Sequence, residues 1–116
     1  MTAAEAAVVF VTTAGQEEAE TLSRVLLGDR LCACVTIVPQ TTSIFRWQGN
    51  IDVARESLLV IKTTREALPA LTAAVRRHHS YQVPEMLAIP VIGGSAEYLD
   101  WLTAETKPQP GGAAER

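Results

Sequence analysis

From Leu31 to Thr64 the chain is strand-forming almost throughout, and one tight turn, Trp47-Gln48-Gly49-Asn50-Ile51, divides the stretch in two. On the near side, Val35, Thr36, Ile37, Val38, Thr41, Thr42, Ile44 and Phe45 keep β-branched and aromatic composition for about three times the usual strand length. On the far side, Asp52 to Thr64 returns along it, which predicts a long hairpin. Pro39 lacks a backbone donor, so the first strand is bulged there or lies on an edge. Within the second strand, Ser57-Leu58-Leu59-Val60-Ile61 does not alternate and is apolar on both faces. Such a strand needs cover on both sides. A chain of 116 residues has room for one domain, so helices cover one face and something else must cover the other.

The remaining elements follow from periodicity. Val8 to Thr13 is a short β-branched strand ended by Ala14-Gly15. Gln16 to Arg30 carries Ala19, Leu22, Val25 and Leu26 at helical spacing, with Glu17, Glu18 and Glu20 early and Arg30 late, matching the helix dipole. Thr63 and Glu66 stand at capping-box spacing before a second helix whose buried face is Leu68, Leu71 and Val75, with Pro69 in its first turn and an end near His79. Ser80 to Glu85 connects to a strand over Met86 to Ile92, where Pro90 marks an edge. Gly93-Gly94-Ser95 turns into a last helix, Ala96 to Thr106, with Ser95 as its cap. Residues 107–116 have no apolar periodicity and read as a frayed tail. The order predicts an α+β fold, a ferredoxin-like βαββαβ sandwich with a long hairpin and an additional C-terminal helix, as one domain over residues 1–106. Both main helices then lie on one face of the sheet, and the bare face is expected to bury itself in self-association.

Charge and composition remove several classes of function. Net charge is −3, and the ten Lys and Arg are scattered, so there is no basic stripe for nucleic acid. No stretch of 18 uninterrupted apolar residues reads as a membrane span. Met1 to Ala7 has no basic residue and carries Glu5, against a signal peptide, and the expected location is the cytoplasm. Hydrophobic residues make up 47% of the chain with only 5% aromatics, a surplus that again points to apolar surface hidden between copies.

The residues able to carry chemistry are few. His78 and His79 are the only histidines, at a helix end, six to seven positions before Glu85. They either cap the last carbonyls of the helix or join Glu85 as ligands of a divalent ion, since imidazole suits copper and zinc. Cys32 and Cys34, two apart on a strand, would put their Cα atoms about 6.5–7 Å apart, at or beyond the disulfide limit. They fill core positions or offer a thiol pair to a soft metal such as Cu(I). Glu85, Tyr81 and Lys62 are an acid/base set without a nucleophile, no G-x-S-x-G, Walker or G-x-G-x-x-G pattern occurs, and no enzyme activity is expected. Trp47, beside the hairpin tip, is an anchor for a partner or an ordinary hairpin residue, and the preference of interfaces for tryptophan favours the first.

Leu31-Cys-Ala-Cys-Val-Thr-Ile-Val-Pro-Gln40, Thr42-Ser-Ile-Phe-Arg-Trp-Gln-Gly49, Ile61-Lys-Thr63, His78-His-Ser-Tyr-Gln-Val-Pro-Glu85 and Tyr98-Leu-Asp-Trp101 together resemble the CutA, or divalent-cation tolerance, family, from about Val8 to Ala104. The resemblance implies a homotrimer of ferredoxin-like subunits, binding of Cu2+ and a link to tolerance of divalent metals. It implies a metal site of His78, with His79 as the alternative, and Glu85. The family's cysteine near the end of the first strand falls here at Val11 or Thr12, so that ligand is replaced, and Ser80 stands where a proline is usual. Cys34 matches a family cysteine. The alternative expectation is a trimer resembling PII-like signalling proteins, without a metal role, binding a ligand or partner in a cleft where Lys62, Tyr81 and Trp47 meet a neighbouring subunit.

Overall fold

The computed structural model describes residues 5–108. Strand β1 (Ala6–Thr13) leads into helix α1 (Gln16–Gly28), then β2 (Cys34–Trp47), β3 (Asn50–Thr64), α2 (Leu68–His78), β4 (Leu87–Pro90) and α3 (Ala96–Glu105). The sheet is antiparallel in the order β2-β3-β1-β4, so the architecture is the expected α+β, ferredoxin-like arrangement with a third helix. Of the expected tail over residues 107–116, positions 109–116 lie outside the described residues.

The core forms between one sheet face and two helices. Val9 and Val11 of β1 and Leu59 and Ile61 of β3 meet Leu22 and Leu26 of α1 and Leu71 and Val75 of α2, all essentially without solvent contact. Each such side chain contributes about 1.5–3 kcal/mol when fully buried. The opposite face carries Val8, Phe10, Leu58 and Val60, all partly open, with Leu87 and Ile89 exposed beside them on β4. The register joins these into one patch: Val8 faces Ile89, and Phe10 faces both Leu87 and Val60. The two-faced character of Ser57 to Ile61 is therefore real, and one of its faces lacks cover among the described residues.

The hairpin turns through Gln48 and Gly49, both at positive φ (49° and 84°), the backbone twist a two-residue hairpin requires and one that glycine adopts without steric cost. The register slips between Val38 and Thr41, at Pro39 and at Gln40, whose φ is 57°. β2 is also an edge strand, so Pro39 sits at both a bulge and an edge.

Several boundaries differ from expectation: β1 begins at Ala6, ahead of Val8, and β4 spans only Leu87–Pro90 of the expected Met86 to Ile92. The Thr63/Glu66 capping box does not form: Thr63 Oγ1 donates instead to the Leu31 carbonyl at 2.7 Å, and the Ala67 N–H donates to Thr64 Oγ1 at 3.3 Å ahead of α2. The long-range bond to Leu31 satisfies a buried hydroxyl, which a local cap would not. α1 stops at Gly28, and Arg30, at φ 57°, donates its guanidinium to the Ala104 and Glu105 carbonyls, tying the C-terminus of α3 to the rest of the fold. β2 starts at Cys34, which leaves Leu31 and Cys32 as buried connector residues. Ser95 caps α3 as expected, accepting the Tyr98 N–H at 3.3 Å. Leu59→Ala, at the centre of the sheet, should lower unfolding free energy by about 2–5 kcal/mol at unchanged m value, measured by urea denaturation.

Candidate functional site

The connector between α2 and β4 is held by one imidazole. His79 is the C-cap of α2, and its buried ring bridges two backbone groups: Nε2 lies 2.7 Å from the Thr12 carbonyl, and Nδ1 accepts the Tyr81 N–H at 3.0 Å. A carbonyl only accepts and a backbone N–H only donates, so the ring carries its proton on Nε2. Glu18 Oε2 also comes within 3.7 Å of Nδ1, but that nitrogen is already an acceptor, so the approach is not an ion pair. Glu18 instead accepts the Ser80 N–H at 2.8 Å and the Ser80 hydroxyl at 2.9 Å. Burial works against its ionised form, but these two bonds and the Ala14 N–H outweigh that and hold the carboxyl below the ordinary glutamate value.

With the connector fixed, the Tyr81 ring packs on His79 at 4.8 Å and its hydroxyl donates to Glu56 Oε2 at 2.8 Å. Glu56 is only 7% exposed, and no cationic side chain pairs with it among the described residues. Around it opens a cleft of about 490 Å3, with Phe45, Trp47 and Asp52 of the hairpin on one wall and Tyr81 and Val83 of the connector on the other. An adjoining hollow of about 400 Å3 shares Glu56 and the aromatic residues and adds Thr12 and Glu85. Burial, then the charge of Glu56, raises the Glu85 carboxyl. Burial, then the hydrogen bond to Glu56 and the charges of Glu56 and Glu18, pushes the Tyr81 phenol up to about 12. The cleft is acidic, partly dry and aromatic.

The residues expected to bind metal are not gathered in one place. Glu85 lines the hollow adjoining the cleft, His78 lies exposed on the last turn of α2 beside a separate hollow with Glu17 and Glu18, and both ring nitrogens of His79 are engaged within the chain. Among the described residues, no group of three or more His, Cys, Asp and Glu is placed to hold a metal ion. Tyr81 and Trp47 line this cleft within one chain, whereas the Lys62 ammonium donates to Thr36 Oγ1 at 2.7 Å and to the Val60 carbonyl at 3.0 Å. Cys32 and Cys34 are free thiols; burial, then Cys34, pushes the Cys32 thiol up to about 12. Glu56, Asp52 and Phe45 were not anticipated. The signal for Glu56 was its parity with Leu58 and Val60, which puts a carboxylate on an otherwise apolar face.

The model of the CutA1 divalent ion tolerance protein family matches residues 7–105. The chain belongs to the CutA1 family. It is 48% identical over 99 residues to the divalent-cation tolerance protein CutA of Thermus thermophilus, covering 85% of this chain and 96% of that one. The crystal structure of CutA1 from Oryza sativa superposes with a TM-score of 0.88 at 39% identity, covering 90% of this chain and 96% of that one. The periplasmic divalent cation tolerance protein CutA of Archaeoglobus fulgidus gives 0.85 at 35% identity, covering 88% and 99%. The CutA1 family is named for tolerance of divalent ions and not for a reaction. No helix among the described residues is long and apolar enough to cross a membrane. Relative to the CutA cysteine expected near the end of β1, Val11 is a core side chain here, and Thr12 lines the hollow adjoining the cleft and supplies the carbonyl that orients His79.

Glu18→Gln should destabilise the fold at neutral pH by about 1 kcal/mol, a Tm loss of about 4–8 °C. Because the folded carboxyl is held low, its contribution is complete above the ordinary glutamate range and is lost as pH falls through the folded value. Melts of the two proteins should therefore converge in acid, and a pH-independent gap would contradict this account of Glu18.

Proposed function

We propose that the protein serves in tolerance of or response to divalent cations, as a cytoplasmic homotrimer that binds such ions, Cu2+ among them, and catalyses no reaction. The observation that carries this reading is the Glu56 and Glu85 pair: two carboxylates lining one hollow, the first buried without a cationic partner among the described residues. A buried anion without a counter-charge is costly, and a bound cation removes that cost. Glu56, Glu85 and the Tyr81 phenol are oxygen donors suited to a hard divalent ion, and the imidazole of His78 is the group suited to copper. His78 and Glu85 line separate hollows of one chain, so a site using both is built between copies. On this reading His79 positions the connector and is not a ligand.

Self-association is supported by the patch of Val8, Phe10, Val60, Leu87 and Ile89, and by the projecting hairpin, where Ile44, Ile51 and Val53 are each more than 60% exposed. Monomers rarely leave contiguous apolar surface of this kind open. Both cysteines are free, which suits a reducing compartment. A second reading, a PII-like trimer that senses a small ligand without a metal role, is favoured by the aromatic walls of the cleft.

Calorimetric titration with Cu2+ should give saturable binding, weakened about tenfold by Glu56→Gln, Glu85→Gln or His78→Ala. Equal affinity in all three variants would overturn the site. Light scattering at micromolar concentration should return three times the chain mass of 12.5 kDa, and Ile89→Asp should lower it. A wild-type mass of one chain would overturn the assembly.

A further inference from the structure

Three aromatic side chains exceed what a metal ion can use. An inorganic dication takes oxygen or nitrogen ligands and keeps its water, gaining little from an aromatic wall. An organic cation is the complementary case, because an ammonium or guanidinium head is attracted to ring faces and its carbon substituents prefer a dry wall. The cleft supplies both kinds of group in one volume. Phe45 and Trp47 are 41% and 45% exposed on the hairpin wall, Tyr81 stands opposite, and Glu56 lies more than nine-tenths buried between them. Tyr81 occupies one Glu56 oxygen at 2.8 Å, and the carboxylate has no ion-pair partner among the described residues. Asp52 adds a second anion on the hairpin wall. About 490 Å3 is within the usual range for small-molecule sites and far more than one metal ion fills.

We propose that this cleft binds a small organic cation, an alkylammonium or guanidinium compound, with its charge against Glu56 and its flanks between Trp47, Phe45 and Tyr81. The inference rests on the reading of the cleft as a place that takes positive charge, and it names a ligand class for it.

Tetramethylammonium and methylguanidinium chlorides are the probes, followed on the whole protein by ligand-observed NMR against sodium chloride at equal ionic strength. Saturable binding of at least one organic cation is expected, with none for sodium. Glu56→Gln, which keeps an acceptor for Tyr81, should weaken it about tenfold. Trp47→Ala, on the hairpin wall, should weaken it about threefold at unchanged assembly mass by light scattering. Thermal melts establish that both variants are folded, and Trp47→Ala alone decides the matter if Glu56→Gln is not. Absence of saturation with both probes, or unchanged affinity in the folded variants, overturns the proposal. Copper calorimetry on the same samples separates the two readings. Copper binding without organic-cation binding overturns this inference alone, and the reverse result supports it while overturning the metal role.

Discussion

Everything distinctive in this molecule follows from the length of β3 relative to its neighbours. β1 pairs only with its second half, from Ser57 to Thr64, whereas β2 follows it from Trp47 back to Cys34. Where β1 ends, β3 loses one partner and both helices, and the hairpin continues beyond the core. Glu56 is the first residue past that junction. It sits where a layered core gives way to a two-stranded ribbon, and the cleft is the angle between that ribbon and the connector leaving α2. A two-stranded ribbon is marginally stable alone. Ile44, Ile51 and Val53 stand exposed along it, apolar surface that the single chain does not cover.

The acidity of the cleft is maintained by groups that never enter it. His79 uses one nitrogen on β1 and the other on its own connector, which fixes the Tyr81 backbone and so aims the phenol at Glu56. Glu18 of α1 holds Ser80 from the other side. Backbone groups, an imidazole and the Glu18 carboxylate thus organise the cleft without a cationic side chain among the described residues, and that arrangement leaves its negative charge uncompensated. Had Lys62 reached the cleft, it would have closed the charge balance; its ammonium is spent on Thr36 and the Val60 carbonyl.

Much of the fold was legible because it is encoded locally: the β-branched runs, the Gly49 turn, the Ser95 cap and the two-faced segment around Leu59 each report on their own neighbourhood. The misplaced capping box shows where local reasoning stops, since Thr63 is claimed by a carbonyl 32 positions away. The cleft was half legible for the same reason. Trp47 and Tyr81 stood out by type and motif, but Glu56 reaches the cleft only through the place where β1 ends, which is a property of sheet register. A histidine pair at a helix end before a glutamate reads either as a cap or as a ligand pattern; the two backbone partners that engage both ring nitrogens of His79 are not displayed by spacing.

The bulge at Pro39 and Gln40 decides which side chains share the cleft. Val38 lies opposite Leu58, and with a regular ladder Gln40 would oppose Glu56; the extra residue places Thr41 there instead. Because faces alternate with every residue, that one-position slip carries Phe45 opposite Asp52 and Trp47 opposite Asn50, on the same face as Glu56. An unbulged hairpin would turn the aromatic residues to the opposite face and present Ile44 and Arg46 beside the carboxylates. The register shift at Pro39 and Gln40 is thus what puts Phe45 and Trp47 on the face of Glu56 and Asp52, and it links a backbone irregularity visible in the sequence to the chemistry of the cleft.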